Sequence, residues 1–334
     1  MLNIAVINLE NLKSNALKVK SKLGKTKLCA VVKADAYGHG AQVVANALYQ
    51  IVDCYAVALL EEGVSLRLSG IDKEILVLVA PFESDITKAV SYGLTLSVQE
   101  LKTLDLLEKE CERQNKKVSV HIKYNTGMNR LGVDGVEQLE KLLNFASGLK
   151  RVKIGGVYSH FACPQNKIML EKATDKFLLA NNLVKGYNKN IVSHVSASGG
   201  FLQGVYMDMV RIGIMLYGYT PYPCDFSLKP VMKVYSPVVR NGRAVAGQSL
   251  LYGDKLIDSD REYSIIRYGY ADGLERRQNQ TILNNRCMDL SAVSQTKKEW
   301  YPVMVNADKT ASQYGTISYE VLTKCAVRCH KIYT

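Results

Sequence analysis

Eight short apolar runs alternate with amphipathic segments between Leu28 and Tyr217, and reactive side chains gather at the C-terminal ends of those runs. Beyond Pro221 the texture changes to short alternating runs with Gly and Asn turns. Together these predict an α/β fold: a (β/α)8 TIM barrel over residues 8–230, followed by a C-terminal all-β domain over residues 231–334. At 334 residues the chain exceeds the usual size of one domain, which suits a large barrel plus a smaller unit.

The opening IAVINLENLKSN reads as a strand over residues 4–7, then a helix with Asn8 as its N-cap. Leu28, Cys29, Ala30, Val31 and Val32 form a run apolar on both faces, the pattern of a strand in a parallel sheet. A helical stretch, AQVVANALYQ, follows it. Further strand-like runs fall at residues 54–60, 75–80, 94–98, 118–124, 154–160, 191–196 and 209–217, the last with Arg211 at its centre. A doubly wound open sheet is the competing topology. Two features favour the barrel: no G-x-G-x-x-G follows the first strand, and Lys33, His121 with Lys123, His160, His194 and Arg211 all sit at strand ends that a barrel brings to one mouth. In the second domain, VMKVYSPVVR and REYSIIRYGYADG read as strands.

Composition narrows the function. The formal charge of +12 is spread along the chain without a long basic block interleaved with aromatics, so no nucleic-acid partner is expected. The densest patch, Lys18, Lys20, Lys22, Lys25 and Lys27, reads as a solvated face. No apolar run reaches the length of a membrane span, and MLNIAVINLENLKSN lacks the pattern of a signal peptide; a cytoplasmic protein with no membrane partner is expected. Eight irregularly spaced cysteines fit reduced thiols, and Cys325, Cys329 and His330 match no standard zinc spacing, so no metal is expected.

Lys33 emerges straight from an apolar strand. Loss of hydration there favours the neutral amine, a nucleophile able to condense with a carbonyl; an ordinary strand-end lysine reaching solvent is the plain alternative. Ala34, Ala36, Gly38 and Gly40 leave room beside it, and Tyr37 offers a hydroxyl. Arg130 in KYNTGMNRLG can fork onto a carboxylate, or be a surface loop charge. His160 ends a strand, where a histidine is commonly a satisfied core group. Arg211 lies within an apolar run, and a buried arginine is costly unless paired.

VVKADAYGHG resembles the signature of the alanine racemase family, and further matches recur in family order along nearly the whole chain. The resemblance implies a pyridoxal 5′-phosphate enzyme, with Lys33 binding the cofactor covalently and Tyr37 bonding its phosphate. It implies that Arg130 orients the substrate carboxylate and that Lys123 is open to carbamylation, although Asn125 and Asn129 replace the family's usual aspartate and glycine. His160 matches the Ser/Thr-His-Phe-Ala segment. HVSASGG places Ser198 on the phosphate, with Ala197 where the family usually has Asn. MVRIGIMLYG places Arg211 at the pyridine nitrogen and the N–H groups of Gly213 and Ile214 on the phosphate.

Tyr252 in GQSLLYGDKL matches the family's catalytic tyrosine; His160 and Arg211 are the expected cations that favour its phenolate. Tyr270 and Met288, with Asp289, match positions at the substrate entrance. In the family these residues come from the neighbouring subunit, so the resemblance implies a homodimer with shared active sites, its β domain joined by a strand from residues 1–7. The implied activity is interconversion of L-alanine and D-alanine by Lys33 and Tyr252 as two bases, supplying D-alanine for peptidoglycan. A broad-specificity racemase, a decarboxylase of the same fold and a non-catalytic cofactor carrier are the alternatives; Cys287-Met288-Asp289 disfavours the decarboxylase and Tyr252 the carrier. The second domain is shorter than usual, and VRCHKIYT replaces an Arg-Val-Pro-Arg run. Val327 takes the place of a cofactor-bordering tyrosine, which predicts a wider pocket.

Overall fold

The structure is a computed structural model describing residues 2–252, 256–277 and 282–334. The barrel strands are β2 (Lys27–Val31), β3 (Cys54–Val57), β4 (Ile75–Val77), β5 (Thr95–Val98), β6 (Val118–Lys123), β7 (Val152–Tyr158), β8 (Val192–His194) and β9 (Met209–Ile212); they follow β1 (Ile4–Ile7) in the chain. They pair in parallel in the order β8-β7-β6-β5-β4-β3-β2-β9, so the first barrel strand lies beside the last. The seam between β8 and β9 is drawn shut by a bridge between Ala197 and Arg211, with the Arg211 N–H donating to Ser196 O at 3.0 Å. Strands buried on both faces and covered by helices read as unbroken apolar runs, which is why all eight were legible.

The last run is shorter than expected. β9 stops at Ile212, so Arg211 lies one residue from its end rather than at its centre. Residues 213–217 form turns, with Leu216 N–H donating to Gly213 O at 2.8 Å and Tyr217 N–H to Ile214 O at 3.1 Å. These turns are buried, and a buried turn keeps the apolar pattern of a buried strand.

The second sheet contains β10 (Met232–Ala244), β11 (Arg261–Ile266), β12 (Ser291–Ser294), β13 (Trp300–Met304) and β14 (His330–Tyr333), in the order β12-β11-β10-β1-β14, with β13 pairing β10. β1 runs antiparallel to β10 and parallel to β14, so the start of the chain is tied into the second domain. Asn8 then caps the first helix, its side chain accepting from Asn11 N–H at 2.7 Å. The domain is strand-rich but not all-β as expected: it also carries two short helices, Ala307–Tyr314 and Ser318–Cys325. The second of these helices reaches the barrel mouth. Among the described residues, no helix is long and apolar enough to cross a membrane.

Candidate active site

A cavity of about 820 Å³ opens at the C-terminal ends of the barrel strands. Lys33, Tyr37, Lys123, Arg130, His160, Ser198, Arg211, Gly213 and Ile214 all line it, residues spread over much of the barrel sequence and brought together by closure of the sheet.

Lys33 follows β2 and begins an unusual turn. Ala34, Asp35, Ala36 and Tyr37 all have φ of 52–54°, a left-handed stretch built without a single glycine. Such a conformation costs about 1–2 kcal/mol per residue, so the surroundings must impose it. Glu62 does so from another element: one carboxylate oxygen accepts from Ala34 N–H at 2.6 Å and the other from Ala58 and Leu59 N–H at 2.7 and 3.0 Å. Asp35 accepts from Ala41 N–H at 2.8 Å and pairs with Lys331. Burial, then the Arg130 charge, push the Lys33 amine below its ordinary value against the opposing pull of Glu62, which favours the nucleophilic form.

The turn aims Tyr37 at a cradle for an anion. A Cβ at Gly213 would lie 2.4 Å from the Tyr37 hydroxyl, so only glycine lets the two approach. Gly213 N–H points toward Ser198 Oγ at 3.4 Å, and the Tyr37 ring packs against Tyr217 and Tyr319 with centroids 4.8 and 6.1 Å apart. Hydroxyl and backbone N–H donors therefore converge with no side chain between them.

Arg211, only 3% exposed, spans the floor. It donates to the carbonyls of Ser159 at 2.7 Å, His194 at 3.0 Å and Val195 at 3.2 Å, and to His194 Nδ1 at 2.5 Å. Its Nη2 lies 3.5 Å from His160 Nδ1. Burial and this neighbouring cation hold His160 well below the usual imidazole value. His160 is thus neutral, so of the two cations expected to bias a phenolate only Arg211 carries charge.

Lys123 points over the Tyr158 ring, 4.2 Å from its centroid, and burial with Arg211 and Arg130 lowers its amine to about 6. The loop beyond it is tied by Asn125, whose Oδ1 accepts from Gly127 and Asn129 N–H and whose Nδ2 donates to Asp134 at 2.7 Å. Asn129 sits at φ 54°, a left-handed position that asparagine tolerates, so replacement of the family's glycine leaves the turn intact. The loop presents Arg130 to the cavity.

Several expectations are corrected. His121 and His194 do not line the mouth: His121 lies two residues below Lys123 on the inner face of β6, one layer deeper in the barrel. Tyr252, Tyr270 and Met288, expected to serve the site of a neighbouring subunit, lie off this chain's own cavity lining and are 64%, 38% and 55% exposed on the second domain. Tyr252 bridges Asn285 and Tyr270 N–H donates to Cys287 O at 3.0 Å, so the three form one outer surface. Val327 is 67% exposed and does not border the cavity; Tyr319 does, so no widening follows from the valine.

Two side chains went unforeseen. Tyr319 arrives on a helix, with no local pattern to mark it. Tyr158, whose hydroxyl bonds Ser97 at 2.7 Å and Leu78 O at 3.0 Å, precedes His160 by two residues, and strand alternation already placed the two on one face.

A lysine with a depressed pKa and an anion cradle at one barrel mouth, beside a buried arginine, define a class: barrel enzymes that hold a phosphorylated carbonyl cofactor on a lysine. The donor set suits pyridoxal 5′-phosphate, with an amine for its aldehyde, hydroxyl and N–H donors for its phosphate, and a fixed cation for its ring. Residues 7–221 match the family model described as alanine racemase, N-terminal domain, and residues 231–333 that of its C-terminal domain. An alanine racemase of Streptococcus equi subsp. zooepidemicus is 31% identical over 99% of this chain and 98% of its own. One of Clostridium novyi is 33% identical, covering 98% and 94%. The solved alanine racemase of Clostridium difficile 630 superposes with a TM-score of 0.94 at 29% identity over 100% of this chain and 96% of that one; its cycloserine complex gives 0.90 at 28%, with the same coverage. The chain belongs to the alanine racemase family.

Proposed function

We propose that this protein interconverts L-alanine and D-alanine with pyridoxal 5′-phosphate on Lys33, in a homodimer with shared active sites. The observation that carries this is Lys33, half-buried at the end of a buried strand and facing the same cavity as Arg211 and the Tyr37–Ser198–Gly213 cradle. Tyr37, Ser198 and the N–H groups of Gly213 and Ile214 would hold the phosphate, with Tyr319 closing the cradle; Arg211 would meet the ring nitrogen and His160 would pack against the ring. When bound, the cofactor supplies the electron sink that an alanine Cα–H bond needs before it can ionise at neutral pH.

Arg130, which lines the cavity, would fork onto the substrate carboxylate. Lys33 Nζ, depressed toward neutrality, takes or returns the Cα proton on one face. Tyr252 Oη of a second copy serves the other face, with Tyr270 and Met288 of that copy narrowing the entrance. Lys123, neutral near pH 7 by its value of about 6, can add CO2 at Nζ and release a proton, giving a carbamate that faces Arg130. Intact mass with and without bicarbonate tests that addition. The barrel over residues 8–230 thus supplies cofactor chemistry and residues 231–334 supply the second base. D-alanine for peptidoglycan, made in the cytoplasm, is the role this reading gives the chain.

Purified protein with the cofactor should show the visible band of the lysine-bound form and should erase the optical rotation of L-alanine. A colourless protein, or L-alanine left unchanged, overturns the reading. A broad-specificity racemase is the second reading; with Val327 off the cavity, alanine should be preferred over serine by at least about tenfold.

A further inference from the structure

Beneath the cavity floor, the barrel interior holds two buried histidines that the reading above does not use, His121 and His194, and they lead to Glu74, 41% exposed just before β4 at the opposite end of the barrel. His194 Nδ1 is 2.5 Å from Arg211 Nη1, His194 Nε2 is 2.8 Å from His121 Nδ1, and His121 Nε2 is 3.3 Å from Glu74 Oε1. A guanidinium only donates and a carboxylate only accepts. With donor and acceptor fixed at the two ends, the direction of every contact between them follows. His194 Nδ1 must accept, so the proton of this ring, held neutral by burial and by Arg211, sits on Nε2 and is given to His121 Nδ1. His121 then carries its own proton on Nε2, facing Glu74.

The barrel is shaped for this chain. Gly156 on β7 pairs in register with His121, and a Cβ there would lie 2.6 Å from the imidazole ring. Any other residue at 156 would displace His121. Tyr158 stacks on His194 with ring planes 5° apart, fixing the second ring. Glu74 stays a carboxylate: burial pushes its pKa up, but hydrogen bonds from His121 and Thr95 outweigh it. The other hydrogen bonds of Arg211 go to backbone carbonyls and toward His160, so among the described residues the relay is its one route to a carboxylate.

We propose that Glu74, His121 and His194 are positioning residues for Arg211, a one-way hydrogen-bond relay that sets the direction of its guanidinium and carries its charge balance to the far end of the barrel. This deepens the reading of the site and rests on it for the role of Arg211. Turning either imidazole over would set two donors against each other and push Arg211 off the floor.

The test begins with the holoenzyme labelled with 15N-histidine, whose side-chain nitrogen resonances report protonation directly. His121 and His194 should both show bare Nδ1 and protonated Nε2. A proton on His194 Nδ1, or a doubly protonated ring at either position, overturns the relay. Glu74→Gln keeps an acceptor oxygen and removes the charge; both tautomers should persist while kcat falls about tenfold with KM within about twofold. His121→Leu removes the acceptor for His194 and leaves its Nε2–H unpaired; Arg211 still holds Nδ1 bare, so the tautomer should persist while the visible cofactor band shifts and kcat falls further than in Glu74→Gln. If His121→Leu does not fold, the wild-type tautomers and Glu74→Gln still decide. Variants that keep the wild-type band and kcat within about twofold sink the proposal even with the tautomers as expected. A wild-type protein that never binds cofactor defeats the functional reading instead, while the tautomer measurement still stands as a test of the relay.

Discussion

Lys33 and Lys123 share one cavity, and the consequences of their burial differ. Lys33→Ala should abolish both the visible cofactor band and racemisation, since the other amine lining the cavity, Lys123, ends a different strand and is not placed by the left-handed turn that begins at Lys33. Lys123 has a stability consequence as well. Its pKa falls from an ordinary 10.5 to about 6, with burial the first cause. Between those values the unfolded lysine binds a proton that the folded one does not, so stability rises with pH through the window and is lost as pH falls toward 6. Urea midpoints in bicarbonate-free buffer at about pH 6.5 and 8.5 check this against Lys123→Met, which has nothing to titrate. Wild type should lose roughly 2.6 kcal/mol relative to the variant at the lower pH, from about 1.4 kcal/mol per unit. A gap that does not change with pH contradicts a buried neutral amine. At Tyr252, replacement by Phe should stop proton removal from L-alanine, by family analogy, while exchange from D-alanine starts normally; solvent deuterium incorporation from each isomer reads the two faces separately. Wild-type exchange from both isomers refutes the assignment of Tyr252 as a base.

At the scale of elements, the left-handed turn at Ala34–Tyr37 stands or falls with a residue far from it in sequence. Glu62→Gln leaves one acceptor oxygen for N–H groups that approach the carboxylate from two sides, and its amide sets a donor against the others. The expected loss is roughly 1–3 kcal/mol of stability and weaker retention of cofactor, measured by thermal melting and by dialysis of the coloured protein. Unchanged retention means that the turn holds without the clamp. This turn also marks a limit of sequence reading. Alanine, aspartate and tyrosine have no local preference for positive φ beyond a slight one in aspartate, so only the tertiary clamp produces it. The barrel strands were legible because burial on both faces writes an unbroken apolar run, and the run at 209–217 was overextended for the same reason. The nine cavity residues were legible through the family resemblance, with Lys33 and Arg211 already marked as charges leaving apolar runs. Tyr319 was not, because its helix reaches the mouth only through docking of the second domain.

At the scale of the whole molecule, the question is where the second base comes from. The cavity holds Lys33 but not Tyr252, and Tyr252 lies with Tyr270 and Met288 on an exposed face of the second domain. Among the described residues this exposed face does not reach the cavity of its own chain, whereas a two-fold dimer would bring it to the mouth of a second copy. Complementation separates the two arrangements. Lys33→Ala and Tyr252→Phe chains are each expected to be inactive, and a 1:1 mixture is unfolded and refolded together with cofactor. If each site draws Lys33 from one chain and Tyr252 from the other, every mixed dimer has one intact site and one doubly defective site. Random pairing makes half of the dimers mixed, so about a quarter of wild-type turnover should return. If a single chain closes over its own cavity to supply its own tyrosine, no combination of these chains contains an intact site and the mixture stays inactive.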